Sequence, residues 1–255
     1  MLSLRILAFL AVLALAACGG PGPQSAERLE PPCREVAFEG NHFTVCRTQP
    51  GRHDLRLASL DSAGAPLRDF DRLETHLGAD RTRVAFAMNA GMYDARGRPI
   101  GLYVERGREA KALNRNPGPG NFHMLPNGVF WGNPDGWHVT PTSEFAERGP
   151  EDLSFATQSG PMLVIDGALH PDFAPNGRSL RIRNGVGVDA KGNAWFAISG
   201  EPVSFGRFAR LFRDRLDCPN ALYLDGAVSR LWYPEGRRRD PGVPLGPIVV
   251  ALQSR

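Results

Sequence analysis

The sequence predicts an α+β protein: a single domain with a large, mainly antiparallel twisted sheet and a few packed helices. Three observations point there. Gly 29 and Pro 22 supply one residue in five of the 255, and they fall singly between short apolar runs, without the strict period of collagen. Apolar, β-prone runs recur at short spacing. A helical period, by contrast, is clear in only two places.

The strand-like runs are Phe43 to Arg47, Leu55 to Leu60, Val84 to Asn89, Ile100 to Glu105, Gly128 to Trp131, Phe155 to Ser159, Met162 to Ile165, Arg181 to Val188, Ala194 to Ser199, Ala221 to Leu224 and Pro247 to Leu252. Turn chemistry separates them at Asp94-Ala95-Arg96-Gly97, Asp135-Gly136, Asp166-Gly167 and Lys191-Gly192-Asn193. One helix is expected from Ser204 as N-cap, with Phe205, Phe208, Ala209, Leu211, Phe212 and Leu216 on one face. The other is expected over Phe70 to Leu77.

The N-terminus reads as an address rather than as part of the fold. Residues 1 to 17 carry one charged side chain, Arg5, before an apolar run from Ile6 to Ala17 that is short for a bilayer span. Leu15-Ala16-Ala17-Cys18 resembles the bacterial lipobox, which makes residues 1–17 a lipoprotein signal peptide and Cys18 the lipidated residue. Residues 18–32, rich in Gly and Pro and without an apolar period, read as the lipidated tether of a domain over 33–255. Gly19 after the lipidated cysteine resembles the pattern sorted to the outer membrane. The expected location is therefore the cell envelope, lipid-anchored and facing the periplasm.

Export permits disulfides. A hairpin turning at Glu39-Gly40 would set Cys33 opposite Cys46, and Cys218 is then the odd thiol, read as a small buried hydrophobe. The formal charge of +3, without a dense basic tract beyond Arg237-Arg238-Arg239, argues against nucleic acid as a partner. No G-x-S-x-G, H-E-x-x-H, Walker loop or paired C-x-x-C occurs. Gly185-Val186-Gly187 matches part of a dinucleotide fingerprint, but another strand follows where a helix is required, so it reads as a β-hairpin.

Polar residues that end apolar strands beside glycines are where a β protein displays a site. Four segments do so: Asn89-Ala90-Gly91-Met92-Tyr93, Gln158-Ser159-Gly160-Pro161, Arg183-Asn184-Gly185-Val186-Gly187 and Leu224-Asp225-Gly226-Ala227-Val228-Ser229. In this order they resemble the phosphodiester glycosidase family, in particular its bacterial envelope branch, related to the mammalian lysosomal uncovering enzyme. Pro99 to Glu105, Gly120-Asn121-Phe122-His123 and Pro126 to Phe130 agree. Two places depart from the broader family: Asn89-Ala90-Gly91 stands for Asn-Gly-Gly, and Asp225-Gly226-Ala227-Val228-Ser229 for Asp-Gly-Gly-Gly-Ser. The added side chains narrow the room for a ligand.

The resemblance implies an exported hydrolase that splits a sugar-1-phosphodiester at the anomeric C–O bond; the alternative is a non-catalytic envelope glycan- or glycophosphate-binding lipoprotein. The oxocarbenium-like transition state needs a carboxylate, assigned to Asp225, and Arg183 is expected to clamp the departing phosphate. Glu105 and His123 are further acid/base candidates. Asn89, Gly91, Gln158, Ser159, Gly160, Asn184, Gly226 and Ser229 are expected to bind substrate, with Tyr93, Phe122, Trp131 or Trp195 able to stack on a sugar. No organic cofactor is implied. A divalent metal would suit such oxygens, although no ligand spacing specifies one.

Overall fold

A computed structural model describes residues 30–255. Cys18, the signal sequence and most of the tether lie outside the described residues. Residues 31–255 form one compact unit. The fold is α+β and mainly antiparallel as expected, with its strands divided among three sheets rather than gathered in one.

The seven-stranded sheet runs in the order Cys33–Phe38, Asn41–Thr48, Ala194–Ser199, Asn184–Val188, Asn220–Asp225, Met162–Ile165 and Ala168–Leu169. A five-stranded sheet runs Arg238–Arg239, Leu231–Tyr233, Val84–Asn89, Ile248–Gln253 and His53–Ala58. The third, also five-stranded, runs Arg108–Lys111, Tyr103–Glu105, Phe155–Ser159, Gly128–Asn133 and Gly136–Pro141. Their facing sides interlock in one core around Phe86, Phe130 and Phe196, whose rings meet edge-on or tilted at 5.2 to 5.6 Å.

Central strands such as Val84–Asn89 and Ala194–Ser199 are buried along their whole length. This is why they read as unbroken apolar runs rather than alternating ones.

Helices cover the outer faces. Phe70–Leu77 is capped by Asp69, whose carboxylate accepts from Arg72 N, and seals Phe70 and Leu73 against Trp232, Ile248 and Val250. Ser204 caps Phe205–Arg210 as expected, accepting from Arg207 N; the helix then widens into a π turn, Leu211–Arg215. Phe208 and Phe212 close the outside of the seven-stranded sheet. A third helix, Thr142–Arg148, was not anticipated: its seven residues are too few to show a period.

The first hairpin forms as the spacing predicts. Cys33 pairs with Cys46 in register and the two form a disulfide, while Cys218 is free and buried, its thiol pushed far up by burial. The bridge closes a loop of 13 residues. Replacing both cysteines by alanine is expected to lower unfolding stability by about 3 kcal/mol, read from denaturant midpoints.

Candidate active site

The three sheets meet at their polar strand ends. Asn89 ends a strand of one sheet, Asn184 opens and Asp225 ends adjacent strands of a second, and Ser159 ends a strand of the third. Asn184 thus comes within hydrogen-bonding distance of both Asn89 and Asp225, and Ser159 of Leu224, the neighbour of Asp225. The Asn184 side-chain oxygen accepts from Asn89 Nδ2 at 3.1 Å, Asp225 N at 3.1 Å and Ser229 Oγ at 3.3 Å. In return Asn184 Nδ2 donates to Asn89 O at 3.0 Å, and Asn89 Oδ1 accepts from Arg230 N at 2.9 Å. Asn89 and Asn184 are fully buried. Their amides join the sheets, and their fixed geometry sets where Asp225 sits.

Asp225 is 8% exposed and lies in the wall of a cleft of about 390 Å³. Its Oδ1 accepts from the backbone N–H groups of Gly226, Ala227 and Val228 at 2.6, 2.8 and 3.4 Å. Its Oδ2 has no hydrogen-bond partner among the described residues. Burial raises the carboxyl above its usual pKa, against the three N–H groups that favour the anion. The cleft is walled by Met92 and Tyr93 on one side and by Pro119 to His123 on the other. Tyr93 and Phe122 therefore line it, whereas Trp131 stacks on His138 and Trp195 lies elsewhere.

His123 lies in the cleft wall. Its Nδ1 lies 2.9 Å from Asn116 O, and its ring meets Phe122 edge-on at 4.9 Å. Its Nδ1 is thereby assigned as the donor, since a carbonyl only accepts.

Other expected site residues take different roles. Arg183 is wholly buried: Nε donates to Val203 O at 2.8 Å, Nη2 donates to Ser179 O at 2.7 Å, and the guanidinium lies 3.6 Å from the centre of the Phe205 ring. Arg183 is not among the residues that line the cleft, and in place of the expected phosphate clamp its guanidinium is held by Val203, Ser179 and the Phe205 ring. Burial pulls its pKa below the usual guanidinium value.

Gln158 spends its whole amide on the protein. Oε1 accepts from Leu102 N and Asn114 N, and Nε2 donates to Asn114 O and Thr142 Oγ1. Glu105 sits beside Phe155, at the far end of the Phe155–Ser159 strand, and accepts from the Tyr103 hydroxyl, so it is not part of the cleft. Ser159 donates to Leu224 O at 2.8 Å. Gly91 and Gly160 make room for protein rather than ligand: a Cβ would fall 2.5 Å from Gln158 O and 2.6 Å from Asn127 Cβ respectively.

Sequence reasoning passed over Tyr223. It lies on the Asn220–Asp225 strand, its hydroxyl buried beside the Arg183 guanidinium and directly beneath Gly226. Any Cβ at Gly226 would overlap that oxygen. Gly226→Ala is expected to cost about 1–3 kcal/mol by overpacking. Tyr223→Phe removes the oxygen that Gly226→Ala would overlap and should restore part of the loss in the double variant, as measured by thermal unfolding.

Among the described residues, no group of three or more His, Cys, Asp or Glu is arranged to hold a metal ion.

An antiparallel β scaffold that presents one buried carboxylate at a cleft between sheet ends offers a concave small-molecule site. Residues 82–245 match the phosphodiester glycosidase family, and the chain belongs to that family. The uncharacterized Escherichia coli K12 protein YigE is 40% identical over 154 residues, which are 60% of this chain and 60% of that protein. In fold, the chain is similar to the zebrafish N-acetylglucosamine-1-phosphodiester alpha-N-acetylglucosaminidase catalytic domain auto-inhibited by its pro-peptide. That match has a TM-score of 0.58 at 14% identity and covers 88% of this chain and 82% of that one. A hypothetical protein from Synechocystis matches with a TM-score of 0.51 at 14% identity, over 87% of this chain and 61% of that one.

Proposed function

We propose that the protein hydrolyses a sugar-1-phosphodiester in the bacterial cell envelope, with Asp225 as the catalytic carboxylate. The observation that carries this reading is the state of Asp225: one oxygen is held by three backbone N–H groups, while the other has no protein partner beside a cleft. A carboxylate placed so is fixed in direction and free to act on a bound sugar.

The chemistry fits one carboxylate. As the anomeric C–O bond lengthens, positive charge develops on the sugar and the Asp225 anion stabilises it. The bond's electron pair leaves with the phosphate monoester. Water supplies the oxygen that closes the anomeric carbon, giving one proton to the carboxylate, from which it passes to solvent. Because a phosphate monoester is a weak base, the leaving group needs little protonation. His123, which lines the cleft, takes the part of hydrogen-bonding the departing phosphate in this reading.

The family membership of residues 82–245 supports the reaction class. Leu15-Ala16-Ala17-Cys18 supports export and a lipid anchor at Cys18. The test is sugar release by the purified protein from a panel of sugar-1-phosphodiesters that includes nucleotide sugars. Release of sugar and phosphate monoester in equal amounts is expected. Tight binding without release would favour the glycan-binding alternative instead.

A further inference from the structure

Trp195 lies outside the cleft, in a different setting. It forms the floor of a second, shallow pocket of about 630 Å³, between the start of the chain's first strand and the end of the π turn. The ring is 9% exposed and its Nε1 donates to Asp189 Oδ2 at 2.9 Å. Asp189 also accepts from Lys191 N and from the backbone and side chain of Asn193, which locks the turn. The guanidinium carbons of Arg34 and Arg47 lie 5.6 and 5.5 Å from the ring centre. Lys191 and Arg215 complete the rim, and both are exposed, as is Arg34.

Four cations therefore surround one tryptophan, against Asp189, whose oxygens are engaged, and Asp217. Among the described residues, Arg34, Lys191 and Arg215 form no ion pair. We infer that this pocket docks the domain on an anionic membrane surface, Arg34, Lys191 and Arg215 taking lipid phosphates around the Trp195 ring. Guanidinium groups match phosphate oxygens, and the Trp195 ring holds Arg34 in place by cation–π contact.

The position in the fold identifies the partner as a membrane. Cys33, Thr48, Ala194 and Asn220 share the pocket's end of the seven-stranded sheet, since Cys33 pairs with Cys46, Thr48 with Ala194, and Val188 with both Ala194 and Asn220. Asp225 closes the opposite end of the strand that Asn220 begins, roughly 17 Å away at the usual strand rise. The chain thus enters the domain beside the pocket, no more than about 50 Å of extended chain from Cys18. Docking at this end would turn the Asp225 cleft away from the lipid. The inference does not depend on the hydrolase reading.

The test is flotation of the full chain carrying Cys18→Ala with phosphatidylcholine vesicles, with and without phosphatidylglycerol. Neutral vesicles measure whatever the common N-terminal segment contributes. Phosphatidylglycerol is expected to increase binding, added salt to reverse the increase, and R34E/K191E/R215E to abolish it. Each cation lost should weaken the anionic component roughly fivefold. R106E/R108E/K111E changes charge equally on an exposed hairpin elsewhere and should retain binding.

Lys191→Glu alone, on an exposed turn, gives a partial loss and guards against misfolding of the triple variant. The inference is overturned if phosphatidylglycerol adds nothing or if the hairpin variant loses as much as the pocket variant. It is equally overturned if Lys191→Glu weakens the binding of inorganic phosphate in solution yet leaves flotation with phosphatidylglycerol unchanged, which would make the pocket a site for free anions.

Discussion

Asp225→Asn is expected to leave a folded protein whose kcat/KM for a sugar-1-phosphodiester falls roughly a thousandfold or more, about 4 kcal/mol of transition-state stabilisation. The asparagine oxygen can still accept from Gly226, Ala227 and Val228, so the loop has no reason to move. What disappears is the negative charge.

The same charge governs stability. Burial raises the folded-state pKa of Asp225, so the native protein holds this proton more tightly than the unfolded chain. The cost of ionisation is absent below the unfolded-state pKa, grows as pH rises toward the raised folded value, and is constant above it. At neutral pH the asparagine variant should therefore match or exceed the parent in unfolding midpoint, and the difference should vanish in acid. For the parent, kcat/KM should fall with decreasing pH through an apparent pKa above the usual 3.8 of aspartate. Undiminished turnover in the variant would remove Asp225 from the mechanism.

Much of this site was legible because strands announce their own ends. Val84 to Asn89 and Phe155 to Ser159 occupy the ranges that their runs mark out, each ending on a polar residue. Asn89, Asn184, Asp225 and Ser229 do converge, as their shared setting beside glycines suggested. What stayed hidden depends on partners from elsewhere in the chain. Arg181 and Arg183 alternate identically along one segment, yet the first is exposed and the second fully buried. Ser179, Val203 and Phe205 make that difference, and no local pattern reports them.

The third sheet was partly invisible for a related reason. Arg108–Lys111 is exposed at every position and has no apolar residue except Ala110 to mark it as a strand. Its pairing with Tyr103–Glu105 holds it in place.

Gln158→Leu is expected to lower stability by about 2–4 kcal/mol in denaturant unfolding. Leucine matches the volume but offers neither donor nor acceptor. It would strand the N–H groups of Leu102 and Asn114, the carbonyl of Asn114 and the Thr142 hydroxyl, all now joined through one amide that is 1% exposed. The cost follows from leaving those groups dry and unpaired, which exceeds the modest net gain of each bond when made.

A substrate-binding glutamine predicts the opposite division of effects: unchanged stability and a higher KM. The two readings therefore separate on a single pair of measurements. If Gln158→Leu unfolds at the parent's denaturant midpoint while KM rises, the amide serves the ligand. A fallen midpoint shows that it ties the segment from Asn114, which runs on into the cleft wall at Pro119 to His123, to the sheet behind it. Gln158→Glu sharpens the distinction. It keeps the acceptor for the Leu102 and Asn114 N–H groups, but it loses both donors and places a carboxyl beside the Asn114 carbonyl, so its deficit should be smaller in acid, where the protonated acid can donate once.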